Sequence, residues 1–216
     1  MNKKFAIIIG GCGHRDGSEI HETTMTMLAI EEHGATYDMY APDRNQYHVL
    51  NHLTGESMNE QRNLLVEAAR IARGNIRPLE EFDINKYDAV IFPGGFGVAK
   101  NFFTYALDGV NCQVYPDIEN IISITYKAGK PLGALCISPV LLTKVLGDIT
   151  ITIGNDETTA QHITALGGHN INTATGEVII DKTHKIYSTP CYMLPTDVKG
   201  IHECAYNLIS AMLDNM

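Results

Sequence analysis

Pro131-Leu132-Gly133-Ala134-Leu135-Cys136-Ile137-Ser138-Pro139 is an apolar run that stops at a cysteine and restarts as helix. Leu132–Leu135 has the length and apolarity of a buried strand, and Pro139 suits a first helical turn. The stretch predicts strand, sharp turn, helix (Ile137–Leu146), with the Cys136 thiol at the apex: a nucleophile elbow. Small Gly133 and Ala134 allow close packing beneath it. There the N–H groups of the new helix point toward the sulfur and, with the helix dipole, favour thiolate over thiol.

Outward from this elbow the chain keeps alternating. Phe5–Ile9 predicts a buried strand, followed by a loop containing Gly10, Gly11, Gly13 and Gly17. Ser18 is a suitable N-cap for a helix running to His33, stopped by Gly34, and Ala35–Tyr40 returns as a strand. The polar, His- and Asn-rich segment 42–58 predicts a surface insertion. Glu60–Arg73 predicts a helix, Asp88–Phe92 a central strand running into Pro93-Gly94-Gly95-Phe96-Gly97, and Asp117–Ala128 a helix. Ile149–Ile153, Val178–Asp181 and Lys185–Ser188 predict strands, and Val198–Leu213 a closing helix. The pattern is that of an α/β protein, a flavodoxin-like sandwich with a mostly parallel central sheet and helices on both faces. No repeat or linker divides residues 1–216, so one domain is expected.

Bulk properties narrow the function. A net charge of −9 without a basic cluster argues against nucleic acid and anionic membrane as partners. The five cysteines (Cys12, Cys112, Cys136, Cys191, Cys204) are odd in number and scattered, which indicates a reducing compartment rather than a disulfide framework. The N-terminal segment mimics a lipoprotein signal, with basic residues, then Phe5–Ile9, then Cys12. Its apolar core is shorter than the roughly 7–15 residues a signal needs, so a buried first strand is expected.

Three groups could carry chemistry. Cys136 is the first. The loop Pro93–Gly97 is the second: it follows a buried strand, so it reaches the carboxyl edge of the sheet, where open α/β folds bind ligands. Its glycines let backbone N–H groups approach a reacting oxygen, and it lacks the phosphate-loop pattern. Glu19 and Glu22 are the third, one helical turn apart on the first helix. Glu22, further in, is the better acid to share a proton with a thiolate. His14 and His21 flank the glycine loop and could line a pocket with Gly94. Met25 breaks the His21-Glu22 metalloprotease pattern, and no Cys/His spacing matches a zinc site, so no metal or other cofactor is expected.

Several stretches together resemble the ThiJ/PfpI superfamily, a branch of the class I glutamine-amidotransferase-like fold, and most closely its ElbB group of isoprenoid-biosynthesis proteins. They are Gly11-Cys12-Gly13, Asp16–Glu22, Asn51–Glu56, Glu67–Gly74, Pro93–Asn101, Gly129–Gly133 and Thr189–Leu194. The resemblance implies Cys136 as nucleophile, Glu22 as its acid partner, and the Gly95 and Ile137 N–H groups as an oxyanion hole. It implies glutathione-independent glyoxalase chemistry on glyoxal or methylglyoxal, in a cytosolic, metal-free homodimer. Two departures bear on this. Ile137 stands where many superfamily members place a histidine, and His202-Glu203 lacks the His-x-Glu spacing of a glutaminase. A third polar group is expected from His162, His169 or Asn155-Asp156-Glu157. The rival expectation is a redox-responsive thiol protein with incidental aldehyde or deglycase turnover. No diphosphate-binding motif links the chain to isoprenoid chemistry.

Overall fold

A computed structural model describes residues 3–216. In chain order it contains β1 (Lys4–Ile8), α1 (Ile20–Glu32), β2 (Thr36–Ala41), the hairpin β3 (Val49–Leu50) and β4 (Ser57–Met58), α2 (Leu64–Ile71) and β5 (Arg77–Pro78). There follow β6 (Ala89–Phe92), the short α3 (Val98–Asn101) and α4 (Tyr105–Asp108), α5 (Pro116–Lys127), β7 (Leu132–Leu135) and α6 (Ser138–Leu146). Last come β8 (Thr150–Ile151), α7 (Glu157–Ala165), β9 (His169–Asn170), β10 (Ile179–Asp181), β11 (Ile186–Thr189) and α8 (Val198–Leu213).

The main sheet has seven strands in the order β10-β11-β7-β6-β1-β2-β5, parallel except for the β10–β11 pair. β6 and β7 are buried at every position, the continuous apolar signature of parallel strands covered on both faces. α1 packs on α8, and α5 packs on α6. Gly133 lets α8 come close: a side chain there would meet Met212 Sδ at 2.8 Å. The chain leaves β1 toward β2 and β5, then returns to β6 on the other side of β1. That reversal opens a crevice at the carboxyl edge between the β1 and β6 loops, and Cys136 follows β7, next to β6.

The structure departs from the sequence expectation in several places. Ser18 is not the N-cap of α1; its Oγ accepts from Gly10 N–H at 2.9 Å and braces the glycine loop. Glu19 caps instead, accepting from Glu22 N–H at 2.7 Å. The helix expected over 60–73 begins only at Leu64, because Asn63 accepts from the N–H groups of Leu65 and Val66. The strand expected over 149–153 shortens to β8 and pairs with β9 in a separate two-stranded sheet. The segment 42–58 is not featureless: it holds the β3–β4 hairpin and docks beside the glycine loop. Leu50 N–H donates to Asp16 Oδ2 at 2.7 Å, and the rings of His52 and His14 meet edge to face.

Candidate active site

Cys136 sits between the last residue of β7 and the N-cap of α6 with φ of 60°, a left-handed conformation rare outside glycine. The surroundings over-determine this turn. Cys136 N–H donates to Thr189 O at 3.0 Å, in line with the β7–β11 pairing. Ser138 Oγ donates to Pro93 O at 2.9 Å, tying the start of α6 to the end of β6. Pro139 occupies the first turn, as its fixed φ favours.

The β6 loop then meets α1 through one residue. Gly94 N–H donates to Glu22 Oε2 at 2.8 Å, and Gly94 O accepts from Glu19 N–H at 2.8 Å. A Cβ at Gly94 would lie 2.5 Å from Cys136 Cβ and 2.7 Å from Glu22 Oε2. The sulfur-bearing residue and the carboxyl therefore flank the same point, and only glycine fits between them. Gly94 is thus a buried spacer and not the pocket-lining residue expected from sequence.

Glu22 is 0% exposed. Burial, and after it the charge of Glu19, push its pKa up to about 8, against the pull of Cys136 and the N–H groups of Gly94 and Tyr192. At neutral pH Glu22 is therefore mostly a carboxylic acid. Its Oε1 makes no hydrogen bond and is buried, so one oxygen is free to take or give a proton.

Cys136 itself is 7% exposed. Burial, then the charge of an ionised Glu22, push its thiol well up, while the N–H groups of Gly95 and Ile137 pull it down. This corrects the expectation of a standing thiolate: desolvation outweighs the helix terminus, and the resting residue is a thiol. Those same two N–H groups converge on the sulfur from the glycine loop and from the start of α6. Gly95 achieves its direction with φ of 112°.

A cavity of about 680 Å³ opens over the sulfur. His14 and His21 line it, as does Glu19, while buried Glu22 meets it through Cys136, whose thiol its carboxyl hydrogen-bonds. His21 Nδ1 pairs with Tyr192 OH at 2.8 Å. Of the three expected sources of a third polar group, only Asp156 reaches the wall. His162 stands behind Tyr105, bonding its hydroxyl at 2.8 Å, and His169 pairs with exposed Asp148 instead. Among the described residues no cluster of His, Cys, Asp and Glu could hold a metal ion. Sequence reasoning missed Tyr105, Thr159, Tyr192 and Met193 as wall residues. Tyr192 and Met193 lay within a matched stretch, whereas Tyr105 and Thr159 carried no signal.

An elbow cysteine after a central parallel strand, with a helix-borne carboxyl and a glycine loop beside it, defines a cysteine-centred α/β protein of the amidotransferase-like class. The relatives agree. The chain is 38% identical over 221 aligned residues to the human "Glutamine amidotransferase-like class 1 domain-containing protein 3, mitochondrial", covering 98% of this chain and 82% of that one. It is 33% identical to the zebrafish (Danio rerio) "ES1 protein, mitochondrial", covering 91% and 79%. The crystal structure of an isoprenoid biosynthesis protein with amidotransferase-like domain from Ehrlichia chaffeensis superposes with a TM-score of 0.93 at 35% identity, covering 99% of each chain. Drosophila melanogaster DJ-1beta shares the fold alone, with a TM-score of 0.59 at 15% identity over 100% of this chain and 92% of that one. No family model matches the sequence. The chain belongs to the class I glutamine amidotransferase-like family. The expectation of a cytosolic protein is corrected by the curated relatives, which are named as mitochondrial proteins. Unpaired cysteines indicate a reducing setting, and that criterion alone does not single out the cytosol.

Proposed function

We propose that the protein is a cysteine-dependent enzyme of small 1,2-dicarbonyl compounds, converting glyoxal or methylglyoxal with water to a 2-hydroxy acid without glutathione. The observation that carries this reading is the shared position of Cys136 Cβ and Glu22 Oε2 on either side of Gly94. Cys136 adds to the aldehyde carbon, and the oxyanion faces the N–H groups of Gly95 and Ile137. Such donors are typically worth about 10²–10³ in rate each. The reactive form of the Cys136–Glu22 pair holds one proton between them, and that proton passes to the oxyanion. Glu22, now ionised, removes the hydrogen of the hemithioacetal carbon and returns a proton to the neighbouring carbon, while the hemithioacetal hydroxyl proton passes to the neighbouring oxygen. The aldehyde carbon is thereby oxidised to a thioester as its neighbour is reduced to an alcohol. Water releases the acid and restores the thiol, so no external redox partner is needed.

The redox-sensor alternative uses the same thiol, and selective oxidation of Cys136 by mild peroxide with negligible aldehyde turnover would favour it. Consumption of glyoxal and methylglyoxal by Cys136→Ala decides the central claim. Loss of turnover in a folded variant is expected, and wild-type turnover would end the reading. The homodimer implied by the family resemblance belongs to the same proposal, and sedimentation at the mass of a single chain would remove it.

A further inference from the structure

We propose that the cavity over Cys136 selects 1,2-dicarbonyls carrying an extended apolar or aromatic substituent, uncharged or cationic, and turns away anionic ones. For the reaction this rests on the proposed glyoxalase-type function; for the selection it rests on the cavity alone.

Size is the first argument. At about 680 Å³ the cavity falls in the class that encloses drug-sized ligands, and a two-carbon dialdehyde would occupy a small part of it. A substrate that small leaves most of the wall in contact with water, and the wall then contributes nothing to binding. The wall chemistry is the second. Phe96 is 51% exposed, a large aromatic turned outward on the loop that supplies Gly95. Tyr105, Tyr192, Met193 and Ile137 complete an apolar surface around the sulfur. Aromatic and thioether side chains of this kind hold flat apolar groups.

Charge is the third. Glu19 and Asp156 both line the cavity, and among the described residues no lysine or arginine does. Asp156 is held as a carboxylate by the Thr159 hydroxyl and N–H. His14 is held neutral by partial burial and by the neighbouring His52 and Arg15. Lys100 lies under the Phe96 ring with Nζ 4.5 Å from its centroid. Its ammonium group is turned away to Arg15 O and His48 Nε2, each at 3.0 Å. An anionic substrate, including any diphosphate, would meet two carboxyls and no lysine or arginine, with the His21 ring, its Nδ1 4.0 Å from Glu19 Oε1, between them as the one facing basic group besides His14 among the described residues. The same walls favour departure of the product, because the 2-hydroxy acid ionises once released.

The test uses alkylation of Cys136, which needs no turnover. Rates with iodoacetate, iodoacetamide and N-benzyl iodoacetamide are measured by peptide mass spectrometry at Cys136 and divided by each reagent's rate with glutathione. The expected order is benzyl amide fastest and iodoacetate slowest, each step at least about tenfold, as befits burying an aromatic ring and approaching the acidic side chains of Glu19 and Asp156. Phe96→Ala should shrink the first step. Asp156→Asn, which keeps its capping oxygen, should shrink the second. Equal normalised rates, or iodoacetate fastest, overturn the proposal. In turnover, kcat/KM for phenylglyoxal should exceed that for glyoxal at least about tenfold. Selective alkylation without any aldehyde turnover would support the selection and overturn the glyoxalase-type reading. Glyoxal turnover without selectivity would do the reverse.

Discussion

Glu22→Gln is expected to stabilise the fold increasingly as pH rises. The substitution preserves shape and leaves an oxygen to accept from Gly94 N–H, while removing the titrating proton. In the unfolded chain Glu22 ionises near 4.5, and in the folded chain near 8. Folding therefore binds a proton across that window. Stability associated with this raised carboxyl is intact below 4.5 and is lost as pH rises toward 8. At 1.36 kcal/mol per pKa unit, the wild-type chain forfeits about 3 kcal/mol at pH 7 and about 5 above pH 8. The variant forfeits none of it. Urea unfolding of both proteins from pH 4.5 to 9 measures the difference directly. An amide beside Cys136 adds a pH-independent offset, which displaces the curve without changing its slope. A stability difference that stays flat across the range, or that grows toward acid, would refute the assignment of a protonated, buried Glu22.

Three further outcomes are expected. kcat/KM for methylglyoxal should rise with pH toward about 8, because the Cys136–Glu22 pair must shed one of its two protons before attack. A pH–rate profile falling over that interval contradicts the one-proton pair. Gly94→Ala places a methyl 2.5 Å from Cys136 Cβ and 2.9 Å from Leu135 O. Overpacking of that kind costs about 1–3 kcal/mol and should lower kcat more than it raises KM, read from steady-state kinetics and thermal melts. Asn63→Ala removes the cap of α2, remote from the sulfur, and should cost about 1 kcal/mol of stability by denaturant titration with kcat unchanged.

The elbow was legible before any coordinates because it is local. An apolar strand of four residues, a cysteine and a helix with proline in its first turn specify strand, turn and helix by pattern alone, and the strand β7 has the predicted bounds. The alternation of the remaining elements specifies a parallel sheet in the same way. α7 was missed for an equally local reason: Glu157–Ala165 is rich in threonine and buries only Thr159 and Ile163, so it has almost no apolar periodicity. The chemical state of the site was not legible. Sequence alone suggested a thiolate, since a helix terminus and two amides can be anticipated from one stretch of chain. Only tertiary packing decides how much water reaches the sulfur and Glu22. Residues more than a hundred positions apart close over the pair, and the resulting desolvation reverses the sign of the shift expected for Cys136. The cavity follows the same rule. Its walls come from five separate regions of the chain, and their joint size and charge exist only once the sheet has brought those loops to one edge.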